Sequence, residues 1–506
     1  MAGVVAAPGD VVPPAPGAAG VVADKGLRRG AISLLSSVVI GVASTAPGYS
    51  LAAVLGLVVA AVGFQAPAVL WVAFVPMLCI ASAYLYMNRS DPDCGTTFAW
   101  VSKAMGPWAG WLGGWAVVVA DVVVMANLAQ IAGLYSFTLL HWDSAAGSTA
   151  AVTAAGVLWI VVMTAITTIG IELSARTQWY LLGAEVLTLV LFAVVALVRV
   201  YAGDAPVASE HPQLAWFSPF AIDGGTAALT TGVVLAVFIY WGWDSAVSVN
   251  EETEDPSEAP GRSAVVSTIV LVGIYVLVAT AAVAFAGTDA LAGKEDALSI
   301  LGTDVLGTTF DSLLVVAVLT SAAASTQTTI LPTARTTLSM ARAGAMPAGL
   351  GAVHPRYMTP HVATMLFGAV SIAWYVGLTI VSENILFDSI AALGLMIAFY
   401  YGLTGFACAL YYRREARRSL EGLLFAVVAP CAGGAILAWV LVESIVDLSD
   451  PASSESGDSW FGLGPPLVIG IGFMVLGAVL TVAWSRRHGA FFRERPEVFG
   501  AQQRSS

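Results

Sequence analysis

The chain has 506 residues, of which 58% are hydrophobic and 11% charged, with a mean hydropathy of +0.83. Soluble globular chains carry about 25% charged residues, so the composition excludes a water-soluble domain and implies a polytopic helical membrane protein. The net charge of −12 describes its loops, and no basic motif points to nucleic acid.

Residues 1–30 are rich in Ala, Gly, Pro and Val, with most of their charges near the end (Asp24, Lys25, Arg28, Arg29). They lack a charged start followed by an apolar run and a cleavage site, so a disordered cytoplasmic tail is expected rather than a signal peptide. A bilayer core needs about 20 apolar residues per helix. On that measure twelve transmembrane helices are expected: spans 1 to 12 at 31–62, 66–88, 107–140, 150–169, 177–200, 226–250, 263–286, 310–341, 360–381, 385–412, 420–446 and 464–485. Residues 486–506 form a second cytoplasmic tail.

With the N-terminus inside, 19 of the 21 Lys and Arg residues fall on the cytoplasmic side or at its edge; only Arg199 and Lys294 lie outside. That bias is the positive-inside rule. It implies a multi-pass protein of the cell (plasma) membrane with both termini cytoplasmic. The four cysteines (Cys79, Cys94, Cys408, Cys431) have neither disulfide nor metal spacing and read as small apolar fillers. No metal or other cofactor is expected.

Two spans are interrupted. Span 1 carries Ser44-Thr45-Ala46-Pro47-Gly48-Tyr49 half way along, and span 6 carries Phe238-Ile239-Tyr240-Trp241-Gly242-Trp243-Asp244. Proline removes a backbone donor and clashes with the preceding turn, and glycine adds conformational freedom. In lipid the freed backbone groups need a cavity, a ligand or a neighbouring helix. Asp244, an ionisable group at membrane depth, marks a functional site by default. The broken spans are five positions apart in order, so the two helices enter from opposite sides. Paired broken helices at matching positions point to an inverted-repeat transporter.

Three further motifs stand in order: Asp91-Pro92-Asp93-Cys94-Gly95-Thr96-Thr97-Phe98-Ala99-Trp100 with Gly106-Pro107-Trp108 after span 2; Glu251-Glu252-Thr253-Glu254-Asp255-Pro256 after span 6; and Ala341-Arg342-Ala343-Gly344-Ala345-Met346-Pro347 with His354-Pro355-Arg356 after span 8. Over roughly 30–415 the chain resembles the amino acid–polyamine–organocation (APC) permeases. The resemblance implies an all-α, LeuT-type fold of two inverted five-helix repeats with discontinuous helices 1 and 6. The transporter core is then 31–412 (31–200 and 226–412), with the two helices of 420–485 appended. Where the family often has a Gly-Ser-Gly-type run cradling a substrate carboxylate, this chain has Ser44-Thr45-Ala46-Pro47-Gly48, so an amine or a modified amino acid stays open.

A split helix exposes N–H groups at one new end and C=O groups at the other. The second halves, starting near Gly48 and Ser245, suit a carboxylate, and the ends near Ser44 and Tyr240 suit an ammonium. The expected substrate site is therefore Ser44, Thr45, Ala46, Pro47, Gly48, Tyr49, Phe238, Tyr240, Trp241, Gly242, Trp243 and Asp244, with the aromatics as walls or cation–π partners. The resemblance places Phe238 as an aromatic gate. It also places Glu185, in span 5, where some sodium-independent relatives carry a lysine in place of a cation. Glu185, with Ser325 and Thr326 of span 8, is the expected coupling site for a proton or sodium; Asp121 in span 3 is expected to be structural. The function expected is a secondary active transporter of amino acids or related amines, with an amine or amino acid–amine exchanger as the alternative and a non-transporting sensor as a remote one. No ATP-binding loop or nucleophile motif is present, so an enzyme is not expected.

Overall fold

The structure is a computed structural model, describing residues 24–294, 297–307, 312–454 and 456–495. The described residues form helices joined by short turns; they contain no β-strand, only two isolated bridges, one pairing Ile32 with Thr253.

Eleven helical runs among the described residues are long and apolar enough to cross a membrane. The first, Leu34–Ser90, is 57 residues, about 85 Å at 1.5 Å per residue and too long for one crossing. It holds three helices, Leu34–Ser44, Pro47–Val62 and Ala66–Ser90, the first two forming span 1 and the third span 2. The other runs follow the expected spans closely. Span 5 starts earlier than expected, at Ile171, because Gly170 alone separates it from span 4 at Thr149–Ile169. The loop motif after span 2 folds into an unforeseen helix, Thr97–Met105. A second unforeseen helix, Ala297–Leu306, lies between spans 7 and 8.

Lipid tails are as apolar as leucine, so membrane helices associate through close packing of small residues and polar contacts. Spans 3 and 4 meet in this way. A Cβ on Gly133 would lie 2.4 Å from the Val152 carbonyl oxygen, and one on Gly156 would lie 2.6 Å from that of Ala129. Spans 3, 8 and 10 have the largest share of their length buried, and spans 11 and 12 pack at the periphery with largely exposed faces.

The expected disordered tail extends too far. Residues 1–23 lie outside the described residues, but from Lys25 the chain is held. The Lys25 ammonium is 2.8 Å from Asp93 and 2.6 Å from Glu251. The Ala31 and Ile32 amides donate to the Glu252 carbonyl at 2.8 and 3.1 Å. An ammonium followed by an extended pair of residues finds acceptors in the loop after span 2 and the exit of span 6, both distant in sequence. In the second tail, residues 496–506 lie outside the described residues.

Candidate functional site

Both interruptions are real breaks, and they touch. Span 1 stops at Ser44 and restarts at Pro47, with Ala46 between them in the left-handed region at φ 47°. That conformation is rare for a residue with a side chain and persists only where its surroundings hold it. Span 6 runs as a helix over Gly225–Val237 and a 3-10 turn over Phe238–Tyr240, then opens. Gly242 has φ 115°, and a Cβ there would lie 2.6 Å from the Ser44 carbonyl oxygen, so only glycine allows the two broken backbones to approach. The Ser44 and Ser245 hydroxyls close the junction at 2.7 Å. Ser325 of span 8 donates to the Ser44 carbonyl at 2.9 Å.

One expectation about the breaks needs correction. The second half of span 6, expected to present a positive helix end, is only Ser245–Ser248 before a 3-10 turn at Asn250–Glu252. A single turn carries little of a helix dipole, since the effect comes from aligned peptide units.

Glu185 reaches the break from span 5: Oε1 accepts the Gly48 N–H at 2.7 Å, and Ser321 of span 8 accepts the next amide, Tyr49 N–H, at 3.2 Å. The second Glu185 oxygen is buried without a hydrogen-bond partner. The Tyr49 hydroxyl donates to Asn127 of span 3. Asp244 is buried, with its two oxygens accepting from Tyr401 at 2.8 Å and Tyr400 at 3.1 Å. Trp241 donates its indole N–H to the same Tyr400 hydroxyl. The Phe238 ring lies against Gly394 of span 10, where a Cβ would come within 2.7 Å of it.

Other expected site residues serve the frame. Thr326 returns its hydroxyl to its own helix at Ala322, 2.8 Å away, and does not join Glu185. Thr45 donates to Val42 at 2.7 Å. Tyr240 is pinned by a hydrogen bond to the Leu70 carbonyl at 2.9 Å and by the Tyr275 ring. Trp243 is fully buried between Tyr84 and Tyr401, with ring centroids 5.0 and 5.2 Å away. Asp121 accepts from Thr333 at 2.8 Å, a structural partner.

The sequence reading missed Tyr400 and Tyr401, although paired tyrosines inside an apolar span signal hydroxyls in need of buried partners. Ser321, one of the hydroxyls that span 8 offers as partners, and Asn127 of span 3 both reach the break in span 1.

A scan against family models matches residues 29–474 to the amino acid permease model. The chain belongs to the amino acid permease family, within the APC superfamily. Curated relatives agree. An uncharacterized transporter of Mycobacterium tuberculosis is 29% identical over 68% of this chain and 73% of its own length. A branched-chain amino acid permease of Lactococcus lactis is 23% identical over 55% of this chain and 61% of its own. A vacuolar cationic amino acid transporter of Arabidopsis thaliana is 24% identical over 62% and 53%. This permease is thus a multi-pass membrane transporter.

Below the breaks the permease holds a polar clamp. Arg335 of span 8 is buried 2.5 Å from Glu252, and Asn250 donates to Asn88 at 2.8 Å. Cys94 is part of this clamp and not an apolar filler. Its amide donates to Glu251 at 2.9 Å, and its sulfur accepts from Lys25 at 3.6 Å. Potential ligand atoms of Asp93, Cys94 and Glu251 lie within 4.8 Å of one another, and the Lys25 ammonium bridges them. Burial by itself would depress the Lys25 ammonium; the facing Cys94, Asp93 and Glu251 outweigh it and hold its pKa above the ordinary lysine value. Burial opposes ionisation of Asp93, yet Lys25, with donors from Ser339 and Gly95, draws its carboxyl below the usual carboxylate range.

Proposed function

We propose that this transporter is a secondary active carrier of amino acids or related amines across the cytoplasmic membrane, working by alternating access and driven by protons. The single observation that carries this reading is the contact of the two broken helices, Gly242 against Ser44 and Ser44 against Ser245, with Glu185 fastened to Gly48. Broken helices meeting at the bundle centre make an ion- and ligand-responsive junction. The relatives named for branched-chain and cationic amino acids support the substrate class. The arrangement we infer is the LeuT-type pair of inverted repeats, 31–200 and 226–412, with spans 11 and 12 appended. The peripheral packing of those two spans supports it.

Glu185 meets the Gly48 backbone N–H at the break, not the several oxygens a hard cation prefers, which favours a proton over sodium. An ionised Glu185 accepts strongly from Gly48; protonation weakens that acceptor and loosens the hold of span 5 on the second half of span 1. A ligand that binds the two resulting arrangements unequally shifts the equilibrium between them. The test is uptake by the full-length protein in proteoliposomes under an imposed pH difference. Absence of accumulation for every amino acid and amine tried overturns the reading.

Two expected results follow from the site and the charge distribution. Phe238→Ala removes the ring that rests on Gly394 and covers the break from the span 10 side. It should weaken substrate binding roughly tenfold and slow turnover, with folding unchanged, since an aromatic lid excludes water and commits the ligand. Radioligand binding and initial uptake rates check this, and wild-type values for both make Phe238 a packing residue. The 19-to-2 division of basic residues supports a cytoplasmic position for both termini. A reporter after Ser506 should read cytoplasmic and one in the 287–309 loop external; the opposite reading at either position reverses the orientation.

A further inference from the structure

We propose that Gln178 of span 5 and Gln327 of span 8 hold the water through which Glu185 releases its proton to the cytoplasm, a step that rests on the proton-driven reading above and deepens it. Both glutamines are fully buried between the two helices. The Gln178 amide nitrogen donates twice, to the Ala324 carbonyl at 3.1 Å and to the Gln327 side-chain oxygen at 2.5 Å. Ala324 fixes which way that amide faces, because a flipped amide would set its oxygen against a carbonyl. Gln178 Oε1 and Gln327 Nε2 are then left without a partner among the described residues, one an acceptor and the other a donor. Leaving either unmet in a core is costly. Water, which both donates and accepts, completes the two.

Their level in the bundle ties them to Glu185. Seven residues, just under two turns, separate Gln178 from Glu185, so both stand on one face of span 5. Gln178 is about 10 Å nearer the Ile171 end, which is cytoplasmic in the orientation above. Span 8 runs the other way and matches: Ser321, which meets Tyr49 beside Glu185, precedes Gln327 by six residues, about 9 Å. Ser325, whose hydroxyl reaches the Ser44 carbonyl, comes between them along span 8.

Glu185 Oε1 is taken by Gly48, so the unpartnered Oε2 is the oxygen that carries the proton. No side chain nearby can take that proton over. Tyr275 of span 7 is close enough to feel the Glu185 charge, and Tyr49 follows the Gly48 that Glu185 holds; phenols stay neutral near pH 7. The first half of span 1, and span 8 from Leu314 to Leu331, carry no titratable group. The buried bases Arg335 and Lys25 are engaged by Glu252, Asp93 and Glu251. The Oε2–H bond therefore breaks as a water oxygen takes the proton, each water hands one on, and a carboxylate remains. The glutamine amides hold the water and exchange no proton with it.

Beyond the glutamines the route is closed by Ile32, Ile40, Ile171, Ala175, Val249 and Leu331, which pack as one apolar cluster. Ala175 and Leu331 lie one turn past Gln178 and Gln327. Ile40 belongs to the first half of span 1 and Ile32 to its lead-in, so this plug parts when that half of the helix leaves. The proton then exits only in the arrangement open to the cytoplasm, which is the difference between states that coupling requires.

The experiment uses the full-length protein in proteoliposomes with a trapped pH dye, and leucine and arginine as probes. Wild-type uptake of whichever probe is accumulated should bring protons with it. Gln178→Leu with Gln327→Leu keeps the volume and removes both unmet atoms. This pair should cut probe-linked proton entry and pH-driven uptake roughly tenfold or more, leave counterflow within about twofold, and melt no lower than wild type. Gln178→Ser with Gln327→Ser breaks the amide contact but leaves hydroxyls and room for water, so proton entry should persist. Undiminished proton entry in the Leu pair, or its loss in the Ser pair with counterflow retained, makes the glutamines a packing contact and overturns the route while proton coupling stands. Should the Leu pair not fold, the Ser pair decides by the same criterion. Wild-type accumulation without proton entry overturns the route and the proton reading together.

Discussion

Glu185→Gln is expected to abolish accumulation driven by a pH difference while leaving substrate exchange intact. The side chain is fully buried, and its Oε1 holds the Gly48 amide at 2.7 Å across 137 residues of sequence. Glutamine keeps the shape and an acceptor oxygen, so the break is preserved; it loses the ability to gain and release a proton between access states. One pH unit corresponds to about 1.36 kcal/mol, enough for a single coupled proton to sustain about tenfold accumulation. Wild-type vesicles under a one-unit difference should approach that ratio, whereas Glu185→Gln vesicles should fall to about one. Counterflow, which needs binding and reorientation but no net driving ion, should continue. A Glu185→Gln protein that still concentrates substrate under the pH difference alone removes Glu185 from coupling. A sodium requirement in the wild type moves the coupling ion away from the proton.

Arg335→Ala should be among the most destabilising single substitutions in the chain, costing about 3–5 kcal/mol. Arg335 lies in span 8 with its Nε 2.5 Å from Glu252, and both side chains are almost wholly buried. Removing the guanidinium leaves an uncompensated carboxylate in a place with no water to solvate it. Burial already pushes the Glu252 carboxyl above its ordinary range, even though Arg335 draws it down. The damage spreads, because the Glu252 carbonyl also takes the Ala31 and Ile32 amides that bring the start of the chain onto the clamp. Replacing both partners with apolar residues, as in Arg335→Met with Glu252→Leu, should recover most of the loss, because the penalty comes from the orphaned charge and not from the missing pair. Thermal unfolding in detergent checks both. A stable Arg335→Ala protein, or a double variant worse than the single one, shows that the clamp is not held by this pair.

How far the sequence reaches is clearest at the two breaks. Pro47 cannot donate and Gly242 tolerates a φ closed to other residues, and both facts hold wherever the chain goes. Their positions, like the lengths of the apolar runs and the imbalance of Lys and Arg between loops, are properties of the chain read locally. Those local properties determined that this is an all-helical membrane protein with interruptions in spans 1 and 6. What faces each interruption is not local. Glu185 meets Gly48, Ser321 meets Tyr49 across 272 residues, and Tyr401 meets Asp244 across 157. Nothing in the apolar surroundings of Glu185 says which backbone amide its carboxyl will take. Nor does a tail of Ala, Gly and Pro announce that Lys25 will be buried between Asp93 and Glu251. Hydrophobicity specifies that a helix enters the bilayer, because lipid rewards every apolar face alike. Only the packing of small residues and the demand that each buried polar group find a partner decide which faces meet, and so only the tertiary structure decided that the Glu185 carboxyl takes the Gly48 amide at the head of the second half of span 1.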